Sequence, residues 1–539
     1  MSVSGAPASV RASSQAVVIG SGLGGLGAAI RLQAGGLQVT LVESRDQLGG
    51  RAGFLEDAGY SFDLGPTLIT APHLLETLWA TAGRNVHDDI DLIPLQPYYQ
   101  IRFRGDSTRF DYGPKPIEAI SDAAASNGTT GDRANPGRYG ICTPPEAEIA
   151  RISLSDLPGY RRFLVDTEQI YVRAFEQLGR RPFLSWRDIA KVAPELVRLG
   201  AHRDVYSFVS GYVRDPRLRC ILSFHPLFLG GSPFRASAIY SIVPYLEQQG
   251  GVWFAKGGMH ALVLAMGRLF TDLGGTVRYN APAAEIVAER GHTAGVRLAS
   301  GELLPAETVV SNADVHTTYN KLVPPEYRGR LTGRRMDDFS YSMSCFLLYL
   351  GLDREYPHLR HHTILMPQDY RGVVGAIFGG RLLEDDLAVY LHAPTRTDPS
   401  LAPPGCESVY ALVPVPNLAG NVQWPDASDR IRNRTVQILA DEFGMDDIEQ
   451  HIQVEHRLTP LHFRDALASH LGAGFSIEPT LQQSAYFRPH NASERLPGLY
   501  IVGAGTHPGA GLPGVLLSAE ITANLILGHE PAPHMLTTA

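Results

Sequence analysis

Two glycine-rich runs near opposite ends of the 539-residue chain carry residue types that can hold a dinucleotide. The first is Gly20-Ser21-Gly22-Leu23-Gly24-Gly25, a G-x-G-x-x-G run. Gly20 permits a tight turn, Gly22 lets backbone approach a pyrophosphate, and Gly25 lets a helix pack closely on a strand. A helix N-terminus opening there offers unpaired N–H groups and partial positive charge to phosphates. The run follows an apolar segment, Ala16 to Gly20, and opens a helical pattern reaching about Gln33. Glu43 ends the next strand-like run, Val39 to Glu43, where a carboxylate can bond a ribose diol and would repel a 2′-phosphate.

Downstream residues narrow the dinucleotide. Gly49-Gly50-Arg51 supplies a second glycine pair for close approach and a guanidinium to counter pyrophosphate charge, an extension seen in flavin enzymes. Phe62-Asp63-Leu64-Gly65-Pro66-Thr67 sets a rigid turn suited to running beside an isoalloxazine ring. The C-terminal cluster runs Gly503-Ala504-Gly505-Thr506-His507-Pro508-Gly509-Ala510-Gly511-Leu512-Pro513-Gly514 and opens a helix at Val515. Such glycine density costs chain entropy, so it implies close contact with a ligand, and the helix start would place positive potential beside a flavin ring. The expected cofactor is therefore FAD, held by Gly20, Gly22, Leu23, Gly25, Glu43, Gly49, Gly50, Arg51, Gly65, Pro66, Thr67, Gly503, Gly505, Thr506, Gly511, Pro513, Gly514 and Val515.

The elements that must position these residues read as strand, helix, strand from 16 to 43, the grammar of a doubly wound parallel sheet. The length exceeds what one core supports. The expected fold is α/β: a doubly wound, Rossmann-like FAD-binding domain (15–75, 250–314 and 480–530), a discontinuous mixed-sheet substrate domain (76–117 and 315–479) and a helical, membrane-facing lobe (149–249). Residues 1–14 read as a disordered tail. Residues 118–148, rich in Ser, Gly, Asn, Ala and Pro, read as a flexible insertion.

Composition excludes several classes. Net charge is −8, without the concentrated basic patch that nucleic-acid binding needs. Charged residues make up 19% of the chain, below the usual figure of about 25%, which leaves room for a large apolar cavity or a membrane-touching face. Cys142, Cys220, Cys345 and Cys406 lack paired or metal-like spacing, so neither a disulfide framework nor a metal site is expected. Met1 to Ser14 lack the apolar run of a signal peptide, and no stretch of about 18 apolar residues would span a bilayer. The expected location is cytoplasmic, peripherally membrane-associated.

The chain resembles the bacterial-type phytoene desaturases, amine-oxidase-like flavoproteins of carotenoid biosynthesis. The resemblance rests on GSGLGGLGAAIRLQAGG (20–36), GGRA (49–52), FDLGPTLIT (62–70), SFHPLFLGGSPF (223–234), GVWFAKGGMHALV (251–263), SNADV (311–315), AYFRPHN (485–491) and GAGTHPGAGLPGV (503–515). It implies FAD-dependent desaturation of phytoene towards lycopene, with phytoene and partly desaturated carotenoids as substrates, a membrane surface as their source, and quinone or oxygen as electron acceptor. It also implies acid/base work for Asp188, in Phe183-Leu184-Ser185-Trp186-Arg187-Asp188, with Lys191 standing where relatives often carry Arg. His225 and His507 sit in Gly/Pro-rich turns where a hydrogen-bonding role is expected, and Trp253 and Phe254 are expected to fill core. The competing readings are a desaturase, isomerase or ketolase for another carotenoid, and a flavin-binding scaffold without catalysis.

Overall fold

A computed structural model describes residues 14–113, 146–329, 333–424 and 426–530. Nearly all of the expected tail, and the expected insertion up to residue 145, lie outside those residues.

The glycine-rich run sits at the carboxyl end of β1 (Gln15–Ile19) and opens α1 (Leu23–Ala34), which returns to β2 (Gln38–Val42). All of β1 after its first residue is buried, as a strand covered on both faces must be. The sheet has five parallel strands in the order Leu499–Ile501, Thr308–Ser311, β1, β2, Thr276–Arg278. Its strands come from distant stretches of chain, yet their carboxyl ends open on one crevice, where ligands of such sheets bind. Helix Leu512–Leu527 packs on α1 through small residues: a methyl on Gly27 would lie 3.1 Å from the Ala519 Cβ.

A second, mixed sheet of seven strands runs in the order Ile452–Leu458, Ser344–Leu352, Glu407–Val415, Val389–His392, His362–Met366, Tyr99–Phe103, Asp106–Tyr112. Ser344–Leu352 is buried along its length and paired on both edges, with Tyr349 opposite Tyr410 on one side and His456 on the other. His362–Met366 and Tyr99–Phe103 form its one parallel pair.

A helical stretch follows strand Asp106–Tyr112 in the chain. The helical spacing expected from Tyr160 to Leu178 forms helix Leu157–Ile170, continuing as a π-helical segment Tyr171–Leu178. Helix Trp186–Arg198 buries none of its residues, and Trp186 and Val197 are 61% and 57% exposed. The stretch is pinned to α1 and helix Leu512–Leu527 by buried charge. Arg180 Nη1 donates to both Glu520 oxygens at 2.8 and 2.9 Å, and Arg31 of α1 lies 3.4 Å from the same carboxylate.

Candidate active site

The first glycine run is built by contacts that leave no room for side chains. A methyl on Gly25 would stand 2.0 Å from the Gly20 carbonyl oxygen, so helix and strand meet as the spacing predicts. Gly49 N donates to Ser21 O at 3.1 Å, which brings the second glycine pair against the first. The C-terminal cluster arrives from the other side: a methyl on Gly24 would lie 3.1 Å from Gly503 Cα. The α1 N-terminus has no side-chain cap, so its first N–H groups are available to an anion.

Glu43 is buried and holds this turn. Its Oε2 accepts from Ser21 N at 2.9 Å and Ser21 Oγ at 2.5 Å, while Oε1 accepts from Arg45 N at 3.0 Å. Ser44 Oγ, 3.1 Å from Oε1, is a fourth donor that fills the carboxylate's roughly four acceptor positions, so a ribose hydroxyl would take the place of one of these hydroxyl donors. Arg51 faces the same cleft. Its Nη2 donates to Ser469 Oγ at 3.0 Å and its buried Nε has no hydrogen-bond partner. Burial lowers the Arg51 pKa, and the Asp314 carboxylate opposes that shift. Burial raises the Asp314 pKa, opposed first by Arg51, and Asp314 Oδ2 is likewise buried without a partner.

The cleft is one end of a continuous cavity of about 720 Å³, within the range of about 300–1,000 Å³ found for small-molecule sites. Gly20, Gly22, Leu23, Glu43, Gly49, Gly50, Arg51, Gly65, Pro66, Thr67, Gly503, Gly505, Gly511, Pro513, Gly514 and Val515 all line it. The other end is apolar. Phe175, Leu178, Phe183 and Leu196 contribute from the helical stretch, Phe224, Leu227 and Phe228 from the turn before Gly230, and Ile364, Met366, Tyr370 and Val373 from the mixed sheet and its following helix. Tyr390 lines it too, its hydroxyl bonded to Thr67 Oγ1 and His362 Nδ1, both at 2.7 Å.

Two predicted cofactor contacts stand behind this surface. Gly25 packs under the turn, and Thr506 is buried with its hydroxyl donating to Pro489 O at 2.6 Å. Asp188 and Lys191 do not line the cavity. Asp188 Oδ2 accepts from Ser185 N at 2.9 Å, closing a capping box at the start of helix Trp186–Arg198, and Lys191 is exposed on that helix. The contact the structure gives Asp188 is thus a helix cap. His225 is buried behind the lining, with Nε2 2.9 Å from Tyr99 Oη. His507 lines the cavity with Nε2 3.4 Å from Leu178 O; burial pushes its pKa down to about 4, so its imidazole is neutral. Phe254 fills core at 1% exposure, and Trp253 Nε1 donates to Gly250 O at 2.6 Å.

Residues outside the predicted set complete the crevice. The Asn312 side chain meets the glycines from both termini: methyls on Gly22, Gly24 and Gly503 would each fall within 2.9 Å of it. Asn312 and Asp314 follow strand Thr308–Ser311, whose carboxyl end borders the glycine turn. The signal for them was the strand end itself, since parallel sheets bind ligands there. Elsewhere, His361, His362 and His392 each bring one ring nitrogen within 4.8 Å of the others, and so do ligand atoms of His316, Asp337 and His470; such groups could hold a metal ion. Burial keeps the first three neutral.

A sequence profile of the family "Flavin containing amine oxidoreductase" matches residues 23–527. The chain is 42% identical over 513 residues to a lycopene-forming phytoene desaturase of Pseudescherichia vulneris, covering 95% of this chain and 98% of that one. It is 42% identical over 516 residues to a neurosporene-forming phytoene desaturase of Cereibacter sphaeroides, covering 95% and 94%. Among solved structures it is similar in fold to a putrescine oxidase, with a TM-score of 0.60 at 13% identity, covering 96% of this chain and 99% of that one.

Proposed function

The chain belongs to the flavin-containing amine oxidoreductases and is an FAD-dependent oxidoreductase, and from that premise we propose that it desaturates phytoene towards lycopene. The observation that carries the proposal is the two-ended cavity: a glycine-lined cleft with orphaned Arg51 and Asp314 polar atoms opens directly into an apolar chamber. A hydrocarbon offers no polar handle, so its site must select by shape and by burial of apolar surface. The phytoene desaturases at 40–42% identity support the same substrate class.

FAD would lie against Gly20, Gly22 and Gly24, with Glu43 at its ribose and Arg51 at its pyrophosphate. The 65–67 turn and the 503–515 cluster would flank its ring. Bound there, it supplies a two-electron oxidant able to accept hydride. The chain's own residues place the hydrocarbon and keep water out. In this reading residues 15–75, 250–314 and 480–530 form the cofactor domain, 76–117 and 315–479 the substrate domain, and 149–249 the helical lobe. Quinone or oxygen takes the electrons onward.

We also propose that the substrate enters from a membrane surface over helix Trp186–Arg198. Leu196 of that helix and Phe183 just before it line the cavity, while Leu184, Trp186 and Val197 are exposed beside Arg187, Lys191 and Arg198. Exposed apolar side chains flanked by cations suit an interfacial contact. Among the described residues no helix is long and apolar enough to cross a membrane. Replacing Leu184, Trp186 and Val197 by Ser should abolish co-sedimentation with anionic vesicles while leaving bound FAD unchanged; retained sedimentation refutes the entry surface.

Co-expression with a phytoene-producing pathway tests the reaction. Red lycopene supports the proposal. Neurosporene or ζ-carotene as end product shortens the reaction sequence, and untouched phytoene with conversion of a later carotenoid refutes the substrate assignment.

A further inference from the structure

Desaturation releases a proton as well as a hydride, and an apolar chamber offers few groups to take it. Six side chains with ionisable groups other than tyrosine or cysteine line the cavity: Glu43, Arg45, Arg51, Asp314, His507 and Glu247. The first four belong to the glycine cleft, and His507 is neutral with its pKa near 4. Glu247 lies elsewhere. It stands on helix Val243–Gly250, where Val243 and Leu246 line the cavity from the same face.

Glu247 is 0% exposed. Its Oε2 accepts from Tyr99 Oη at 2.7 Å and lies 3.6 Å from His225 Nε2, while Tyr99 Oη and His225 Nε2 are 2.9 Å apart. Its Oε1 is buried with no hydrogen-bond partner. A buried carboxylate oxygen without a donor costs free energy, and proteins retain such groups where function uses them. Tyr99, Tyr112 and His225 are the titratable groups around it, contributed by the strands Tyr99–Phe103 and Asp106–Tyr112 and by the turn His225–Leu229.

We propose that Glu247 is the proton acceptor of the desaturation, a role that rests on the carotenoid-desaturase reading. Two C–H bonds of a –CH2–CH2– unit break. One hydrogen leaves as hydride, with its electron pair, to the bound FAD. The other leaves as a proton to Glu247 Oε1, and its electron pair becomes the new C=C bond. Tyr99 and His225 are positioning residues: Tyr99 donates to Oε2 and is itself held by His225 Nε2, which leaves Oε1 as the acceptor.

The test uses FAD-loaded full-length protein on phytoene-containing vesicles. Glu247→Gln should bind FAD with unchanged stoichiometry and absorbance, and should retain phytoene on re-isolation. Its turnover should fall about 10²–10⁴-fold, the usual worth of a general base. Glu247→Ala should fall similarly and recover part of its rate when formate is added, which a structural role would not permit. Tyr99→Phe should lose less and should shift the pH profile. The proposal is overturned if Glu247→Gln keeps more than about a tenth of turnover, if it loses FAD or phytoene in proportion to activity, or if formate rescues nothing. Should the wild type convert only another carotenoid, the substrate reading fails, and the same variants assayed on that carotenoid still decide the role of Glu247.

Discussion

Glu520 holds the helical stretch over the cavity, and its replacement gives the most exacting test of the architecture. Its carboxylate is 7% exposed and lies 2.8 Å from Arg180 and 3.4 Å from Arg31. At an effective dielectric of about 20, each contact is a gross attraction of about 5–6 kcal/mol, much of it offset by the desolvation of three ions. Burial already lowers the Arg31 pKa; Glu520 opposes that shift and Arg180 adds to it. Glu520→Gln removes the anion shared by both guanidinium groups, leaving Arg31 without its ion pair and Arg180 with Glu176 alone, 3.7 Å away. Breaking a buried ion cluster in this way costs about 3–5 kcal/mol.

The variant should therefore release its flavin several degrees lower in a thermal scan, and limited proteolysis should cut faster between residues 171 and 200, because Arg180 is the tether of that segment. Buried Glu176 also lies 3.7 Å from Arg180, so a quadruple variant, Arg31→Met, Arg180→Met, Glu520→Met and Glu176→Gln, should recover much of the loss, since replacing a whole buried ion cluster by uncharged groups is often neutral or stabilising. The reasoning is refuted if Glu520→Gln unfolds within about 1 kcal/mol of wild type, or if the quadruple variant is no more stable than the single one.

Three further perturbations follow from the same contacts. Gly25→Val should give protein without bound FAD, read as missing flavin absorbance, because even a methyl would stand 2.0 Å from Gly20 O; full flavin occupancy would contradict the packing. Asp63 accepts from Met259 N at 2.8 Å and His260 N at 3.1 Å, yet burial outweighs both and raises its pKa from 3.8 to about 6. Its protonated form is thus favoured in the folded state, so its contribution is fully present below pH 3.8 and lost as pH rises to about 6, a loss of about 3 kcal/mol. Denaturant titrations of Asp63→Asn minus wild type should show that difference developing across this window, and a flat difference refutes it. Ser185→Ala and Asp188→Ala should destabilise helix Trp186–Arg198 alike, by about 1 kcal/mol each, with similar modest effects on turnover; a loss of orders of magnitude confined to Asp188→Ala would restore the acid/base role.

Local grammar made the cofactor cleft legible. Gly20 to Gly25, the strands around them and Glu43 lie within one strand–helix–strand unit, so short-range spacing encodes their geometry. The C-terminal cluster was legible for another reason: few folded structures other than a ligand cradle justify that density of glycine. Asn312 was not, although SNADV had been singled out, because its importance arises only when Thr308–Ser311 pairs with β1 across almost three hundred residues. Glu247 carries no motif at all; its partners Tyr99 and His225 lie far off in sequence. The capping role of Asp188 is legible from its own neighbourhood, since Ser185-Trp186-Arg187-Asp188 has the S/T-x-x-D/E pattern that marks a helix start.

The distribution of charge along the cavity ties these points together. Burying an ion costs several kcal/mol unless it is paired, so a chamber for a hydrocarbon should hold charge only where chemistry or an anionic ligand requires it. Arg51 faces Asp314 and Glu43 is ringed by donors, all at the cleft where a pyrophosphate and ribose would lie. The remaining lining is mostly aliphatic and aromatic, with scattered uncharged hydroxyls such as Thr70, Ser237 and Ser484, a His507 held neutral and one carboxyl group with an idle oxygen. A purely structural Glu247 would be replaceable by glutamine, whose amide oxygen can still accept from Tyr99. A carboxyl group in an oily wall, bonded on one oxygen only, is what a reaction that sheds protons into that wall would use.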